Sequence, residues 1–304
     1  MLILLSGGTG TPKLIQGFME LLPHEDISVI VNTAEDHWLP HGYFSPDIDT
    51  VVYTLAGLIN DDAWHGIKDD TFYTHEKLRE LGSSEYLKIG DRDRALHIWK
   101  GEELKKGLSF SEITDMHCEK FGVKASVIPM SNDPVETVID CREGEMDLHR
   151  FWVKNRGSPE VENVRFTGIE SAHACREAVK AIEKADKVII GPSNPVTSIL
   201  PIVSLSEISN TLNKNRDKVI GVSPFVGGGA ISGPAEKLMN ACVIEPSVRG
   251  LVEFYKDMVS KMIVDNVEET PDIIEGVEIL KTNIIMDDLV KKKSLADYIL
   301  KLSI

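Results

Sequence analysis

The chain has 304 residues, 42% of them hydrophobic, enough to bury a sizeable core in one large or two modest domains. Its formal net charge of -15 excludes a general binder of nucleic acid or acidic membrane, because either polyanion would meet a repulsive field. No apolar stretch approaches the ~20 residues of a membrane helix, and Cys118, Cys141, Cys175 and Cys242 form no CxxC pair. They read as reduced, mostly buried thiols of a cytoplasmic protein.

In chain order, residues 1–5 are an apolar run read as a buried strand. Gly7, Gly8, Thr9 and Gly10 then make a turn, and a helix spans 12–22, with Thr11 as cap, Pro12 in the first turn and apolar residues at helical spacing. Ile27 to Val31 form a second strand, followed by a polar loop at 32–46 and a helix at 49–59. The charged and aromatic stretch 62–100 reads as helical, as does 109–121. ASVIPM and VETVID are strands separated by SNDP; CREGEMDLHRFWV brings a turn and a return strand or helix, and NVRFTGI another short strand. A helix at 172–184, the strand Lys187 to Ile190 and the turn GPSNP repeat the opening grammar. Strand 218–222, a triple glycine and a helix opened by Pro234 repeat it again. NVEETPDIIEG reads as a surface loop and 287–302 as a closing helix.

Strands alternating with helices imply an α/β fold, a Rossmann-like, mainly parallel sheet with helices on both faces and its ligand edge at the strands' carboxyl ends. The expected anatomy is one domain over residues 1–304, with a mainly helical insertion at about 60–122 and a helical tail at about 246–304.

Five segments could carry chemistry. The Gly7–Gly8–Thr9–Gly10 turn suits a phosphate on backbone N–H groups at a helix start, or simply close packing. It is neither a P-loop nor a full GxGxxG, since Lys13 stands where the third glycine should be. Asp36, Asp47 and Asp49 offer hard oxygens for Mg²⁺, while Asp47 could equally be a helix-start acid with Ser45 as cap. Asp49, followed by Thr50, could contact a hydroxyl. Lys88, Arg92 and Arg94 are cationic donors or a solvated face, and Asp91 or Asp93 could cap the helix after them. Ser193, Asn194 and Ser198 sit in a turn stiffened by Pro192 and Pro195, and Gly227 to Gly229 form a loop that could hug a phosphate or act as a surface lid. Trp38, Trp64, Trp99 and Trp152 read as core rather than stacking platforms. The histidines make no HxH or HExxH pair, and Ser6 lacks a GxSxG elbow.

SGGTGTPKL, NTAED, SPDIDTVVYTLAG, KIGDRDRAL, MSNDPVETVI, GPSNPVTSILPI and SPFVGGGAISGPAEKLM occur in this order. Together they resemble the 2-phospho-L-lactate transferase family of deazaflavin coenzyme F420 biosynthesis, over residues 1 to about 245. The resemblance implies transfer of a phospholactyl group, or its enolpyruvyl counterpart, from a guanosine diphosphate adduct to the ribityl hydroxyl of the deazaflavin Fo, with release of GMP and a requirement for Mg²⁺. It implies acceptor contacts at Asp49 and Lys88, with Asp49 orienting or deprotonating the hydroxyl and Lys88 or Arg92 offsetting charge. Substrate contacts would extend to Gly7, Gly8, Thr9, Gly10, Thr11, Asn32, Thr50, Asp91, Ser193, Asn194, Pro195, Gly227 and Gly228, and metal contacts to Asp36, Asp47 and Asp49. Thr11 stands where many relatives carry glycine, which questions its φ. The alternative is a nucleotide-sugar-binding relative without transferase activity. An ordinary dehydrogenase is disfavoured because Asn32, not an acid, ends strand 2. The sequence is compatible with a homo-oligomer and does not require one.

Overall fold

The computed structural model describes residues 1–230 and 234–303. The first half runs β1 (Leu2–Ser6), α1 (Gly10–Met19), β2 (Ile27–Val31), a hairpin of β3 (His37–Leu39) and β4 (Gly42–Phe44), α2 (Pro46–Leu55), α3 (Tyr73–Glu80), α4 (Asp91–Lys105), α5 (Phe110–Lys120) and β5 (Ser126–Pro129). Three antiparallel strands follow, β6 (Glu136–Cys141), β7 (Gly144–Asp147) and β8 (Val161–Thr167). The second half runs α6 (Arg176–Lys184), β9 (Lys187–Ile190), α7 (Leu200–Ser204), α8 (Ser206–Lys214), β10 (Val219–Val222), the hairpin β11 (Phe225–Val226) and β12 (Gly229–Ala230), α9 (Ala235–Ala241) and α10 (Val248–Tyr255). It closes with β13 (Lys261–Asp265), β14 (Ile273–Ile274), β15 (Val277–Thr282) and α11 (Leu289–Lys301).

The main sheet has the order β14-β15-β13-β10-β9-β1-β2-β5, parallel throughout except where β14 turns back on β15. From β5 to β13 this is the doubly wound order 3-2-1-4-5-6, so the chain reverses direction between β1 and β9. Both faces are covered, and the apolar residues of each strand divide by parity. Ile3 and Leu5 of β1 join Val188, Ile190 and Val219 in a core with α6, α8 and α10. Leu2 and Leu4 join Ile189, Ile220 and Ile263 in a second core with α1, α2 and α11.

Several expected boundaries change. Helix α1 begins at Gly10, so Thr11 lies inside it with ordinary helical backbone, and Thr9 is the N-cap. Ser45 precedes α2 but makes no side-chain cap. Residues 32–46 hold a hairpin rather than a plain loop. The segment 246–304 is not a helical tail, because β13, β14 and β15 extend the main sheet from within it. KMIVD holds only three consecutive apolar residues, Met262 to Val264, between Lys261 and Asp265, and so short a run declares itself a strand only through its partner, here β10. Trp38 and Trp152 are not core residues: they are 50% and 44% exposed. The four cysteines are free, three of them buried.

Candidate active site

At a reversal of strand order, the loops leaving the two central strands diverge and open a crevice at the sheet's carboxyl edge. Here the loops follow β1 and β9, and their glycines let them touch. A Cβ on Gly10 would overlap the Pro192 carbonyl, and one on Gly191 would overlap the Thr11 side chain. A Cβ on Gly7 would sit 2.8 Å from Ser198 Cβ and 2.9 Å from Asp47 Oδ2. Only Gly8 of the first turn needs its positive φ, +56°. Ser193 joins the two loops: its Oγ accepts the Thr11 N–H at 3.0 Å and lies 2.7 Å from the Thr11 hydroxyl. Asn194 Oδ1 accepts the N–H groups of Val196 and Thr197, so this side chain shapes its own turn.

Between the loops lies a crevice of about 420 Å³ lined by Gly8, Thr9, Gly10, Ser193, Asn194 and Lys13, with His149, Trp152 and Glu35 across from them. The start of α1 therefore faces this space. That is the arrangement in which N–H groups and the helix dipole attract an anion.

Behind the turn is a buried acid cluster. Asp47 Oδ1 accepts the Gly8 N–H at 2.7 Å, and Oδ2 accepts the Asn32 amide at 2.9 Å. Asn32 also donates to the Thr197 carbonyl, linking β2, α2 and the Asn194 turn. Burial pushes the Asp47 carboxyl up to about 6 despite those two donors. Asp36 is raised well above the carboxylate range by burial, with Lys100 opposing and Asp47 and Asp49 adding to the rise. Neither Asp36 oxygen has a hydrogen-bond partner among the described residues. Glu35, in the crevice wall, is raised by burial and then by Asp47 and Asp36. The His149 ring is pushed down to about 4 by burial and by His37, so it is neutral at pH 7.

Asp49 lies deeper and does not line the crevice. Lys100 Nζ donates to both its oxygens at 2.8 and 2.7 Å and also to Ser45 Oγ, which explains why Ser45 does not cap α2. Burial alone would raise Asp49, but Lys100, with His97 and His117, holds it well below the usual range. His97 Nε2 lies 3.4 Å from Asp49 and 3.3 Å from Asp93, and the Tyr53 hydroxyl donates to Asp93 at 2.7 Å. Asp49, Asp93 and His97 could meet on a cation, but Asp49 already faces an ammonium with both oxygens.

The family model described as 2-phospho-L-lactate transferase CofD matches residues 2–295. The chain is 50% identical to the 2-phospho-L-lactate transferase of Methanocaldococcus jannaschii, covering 99% of this chain and 97% of that one. It is 48% identical to that of Methanococcus maripaludis strain C6 (98% and 97%) and 42% identical to that of Methanosarcina mazei (99% and 99%). This chain belongs to the 2-phospho-L-lactate transferase family. It is therefore a transferase enzyme, of a family tied to coenzyme F420 biosynthesis. A crystal structure of a Bacillus halodurans protein superposes with a TM-score of 0.62 at 15% identity over 99% of both chains, which shows a shared fold. Among the described residues, no helix is long and apolar enough to cross a membrane.

In this 2-phospho-L-lactate transferase fold, the crevice collects only part of the set expected from the sequence. Gly8, Thr9, Gly10, Ser193 and Asn194 line it; Gly7, Thr11, Asn32 and Pro195 stand behind it as packing and hydrogen-bonding supports. Thr50 is buried in α2 beside Asp49. Lys88 and Arg92 do not reach the crevice: Lys88 is exposed with its Nζ 4.1 Å from the Phe72 ring centroid, and the Arg92 N–H donates to Asp70. Asp91 does not face the crevice either. It accepts the Thr71 hydroxyl and the N–H groups of Tyr73 and Thr74 at the start of α3. Asp70 in return accepts the N–H groups of Arg92 and Asp93, so neither Asp91 nor Asp93 caps α4. Gly227 and Gly228 form the tip of the β11–β12 hairpin, away from the crevice lining, with the Gly228 N–H on Glu268.

The sequence reading missed Lys13, Glu35, His149, and the 284–287 segment as crevice walls. Lys13 had a local signal, a cation one turn into the glycine-led helix. His149 and Ile284 arrive only by tertiary folding.

Proposed function

We propose that this enzyme transfers the 2-phospholactyl group, or its enolpyruvyl counterpart, from lactyl-2-diphospho-5'-guanosine to the ribityl hydroxyl of Fo, releasing GMP. The observation that carries the reading is the crevice at the strand-order reversal. It presents the α1 N-terminus, the Ser193–Asn194 turn and Lys13 to one space, which suits a diphosphate in a chain of net charge -15. The acceptor oxygen attacks the phosphorus that bears the lactyl group, the bond to the guanylate phosphate breaks, and GMP leaves with that bridging oxygen. Such a displacement asks the protein for alignment and charge compensation more than for covalent work.

Glu35 and Asp287 are the carboxyls in the crevice wall; Asp287 is paired with Lys291, whereas burial raises the affinity of Glu35 for protons, which suits it to take the hydroxyl proton. Asp49, the carboxylate first suggested for that step, is better placed to fix the start of α2 through Lys100. Asp36 would hold Mg²⁺ in this reading: its two buried oxygens have no partner among the described residues, a condition that a hard cation relieves, whereas both Asp47 oxygens already accept from Gly8 and Asn32. When bound, Mg²⁺ would supply neutralisation of the diphosphate charge.

The test is incubation with Fo, Mg²⁺ and the guanylated donor, followed by chromatography. The expected products are a deazaflavin carrying one new phosphodiester and an equal amount of GMP. Nucleotide binding without turnover would support the binding-protein alternative instead.

A further inference from the structure

Lys13 sits one turn into α1 and borders both the crevice and a neighbouring cavity of about 710 Å³. Lys13 has no ion pair among the described residues; the group its Nζ meets is the ring of Trp64, 5.2 Å from the centroid. Burial lowers its proton affinity, and a nearby anion would restore it.

Trp64 is itself held in an uncommon state. Its φ is +55°, a region that bulky L-residues rarely occupy. The turn is fixed by the Trp64 N–H on the Asn60 carbonyl at 2.7 Å and the Asn60 N–H on the Gly66 carbonyl at 3.1 Å. A second lysine, Lys292, lies 4.5 Å from the same ring centroid, but its Nζ is tethered to Gln16 Oε1 at 2.8 Å. The indole thus supports two ammonium groups, only one of which is tied down by a hydrogen bond. An aromatic ring can orient a cation without cancelling its charge.

We propose that Lys13 binds and neutralises the diphosphate of the donor nucleotide at the mouth of the α1 turn, and that Trp64, which lines the neighbouring cavity and not the crevice, is the positioning residue that anchors the ammonium at the border of the two spaces. This rests on the donor reading above. A lysine beside N–H groups adds a full charge where the helix start offers only a partial one.

The test uses GDP as the probe, by titration calorimetry on the full chain with thermal midpoints recorded alongside. Lys13→Gln keeps most of the stem, and Lys13→Ala serves if the first variant folds poorly. Removing one charged partner should weaken GDP about tenfold or more at an unchanged midpoint. A loss under threefold in a folded variant overturns the assignment of Lys13. Failure of the wild type to bind GDP overturns the donor reading itself, so the two failures are separable. Trp64→Leu should raise the donor KM with little change in kcat, and Trp64→Phe should restore it; equal behaviour of Leu and Phe at this position removes Trp64 from the role.

Discussion

Replacing Lys100 with methionine isolates the electrostatics of the buried Asp49 pair. Lys100 is 1% exposed and Asp49 4%, and the ammonium donates to both carboxylate oxygens and to Ser45. Lys100→Met keeps most of the side-chain volume and deletes the charge, leaving Asp49 buried with only imidazoles and further acids around it. Breaking one side of such a pair costs about 3–5 kcal/mol, whereas exchanging both members for neutral groups often costs little. Lys100→Met should therefore lose about 4 kcal/mol at pH 7 by urea denaturation, and adding Asp49→Asn should recover most of it.

The pH dependence has a definite sign. In the wild type the folded Asp49 carboxyl lies below its unfolded value, so its contribution is present above the unfolded range near 4 and is lost as pH falls through the folded value. Without Lys100 the same carboxyl is raised by burial, so the variant gains stability relative to wild type on acidification. The gap should be widest near pH 7 and narrow towards pH 4. A gap below about 1 kcal/mol at pH 7, or one that does not change with pH, would refute the assignment of Lys100 as the charge partner.

Gly10→Ala should cost about 3 kcal/mol and weaken GDP binding, because the new methyl meets the Pro192 backbone rather than a movable side chain; a calorimetric titration matching wild type would show that the two turns can separate freely. Asp91→Ala should loosen α3, seen as faster amide exchange at Tyr73 and Thr74, while GDP binding stays unchanged; loss of GDP binding in a folded variant would return Asp91 to the substrate site. The folded Asp47 carboxyl titrates at about 6, above its unfolded value near 4, so its contribution to stability increases as pH falls from about 7 to about 4. Asp47→Asn should flatten that part of the urea-stability profile, and an unaltered slope would show that Asp47 does not titrate there.

The central strands were legible because parallel strands covered on both faces are short, continuous apolar runs followed by turn chemistry, as at LILLS and KVII. The crevice was legible for the same reason, since its loops directly follow those runs. β13 was not, because its three apolar residues could equally be a piece of helix until they pair with β10; β15 had a signal, the tight Glu275–Gly276 turn that folds it back on β14, but that turn was read as part of a surface loop. The glycines of the first turn were seen, with close packing as one of their two readings, but the loop they pack against was not, because the overlap of Gly10 with Pro192 joins segments far apart in the chain. Asp49 was noticed as an acid at a helix start. Its ammonium comes from a lysine 51 residues later, with no local pattern to announce it. Asp91 and Asp70 show a subtler failure, in which each aspartate serves the helix nearer to the other.

Helix α1, which carries the crevice-lining glycine turn, rests on α11: Leu14, Ile15 and Phe18 share a core with Leu295, Ala296 and Ile299. Gly17 admits the Lys292 backbone, and Lys187 beside β1 gathers the carbonyls of Ile299, Leu300 and Leu302. During synthesis α1 leaves the ribosome long before α11 exists, so the side that meets Leu295, Ala296 and Ile299 lacks its native cover until the last helix has emerged. Competence for catalysis is thus postponed until nearly the whole polypeptide has emerged.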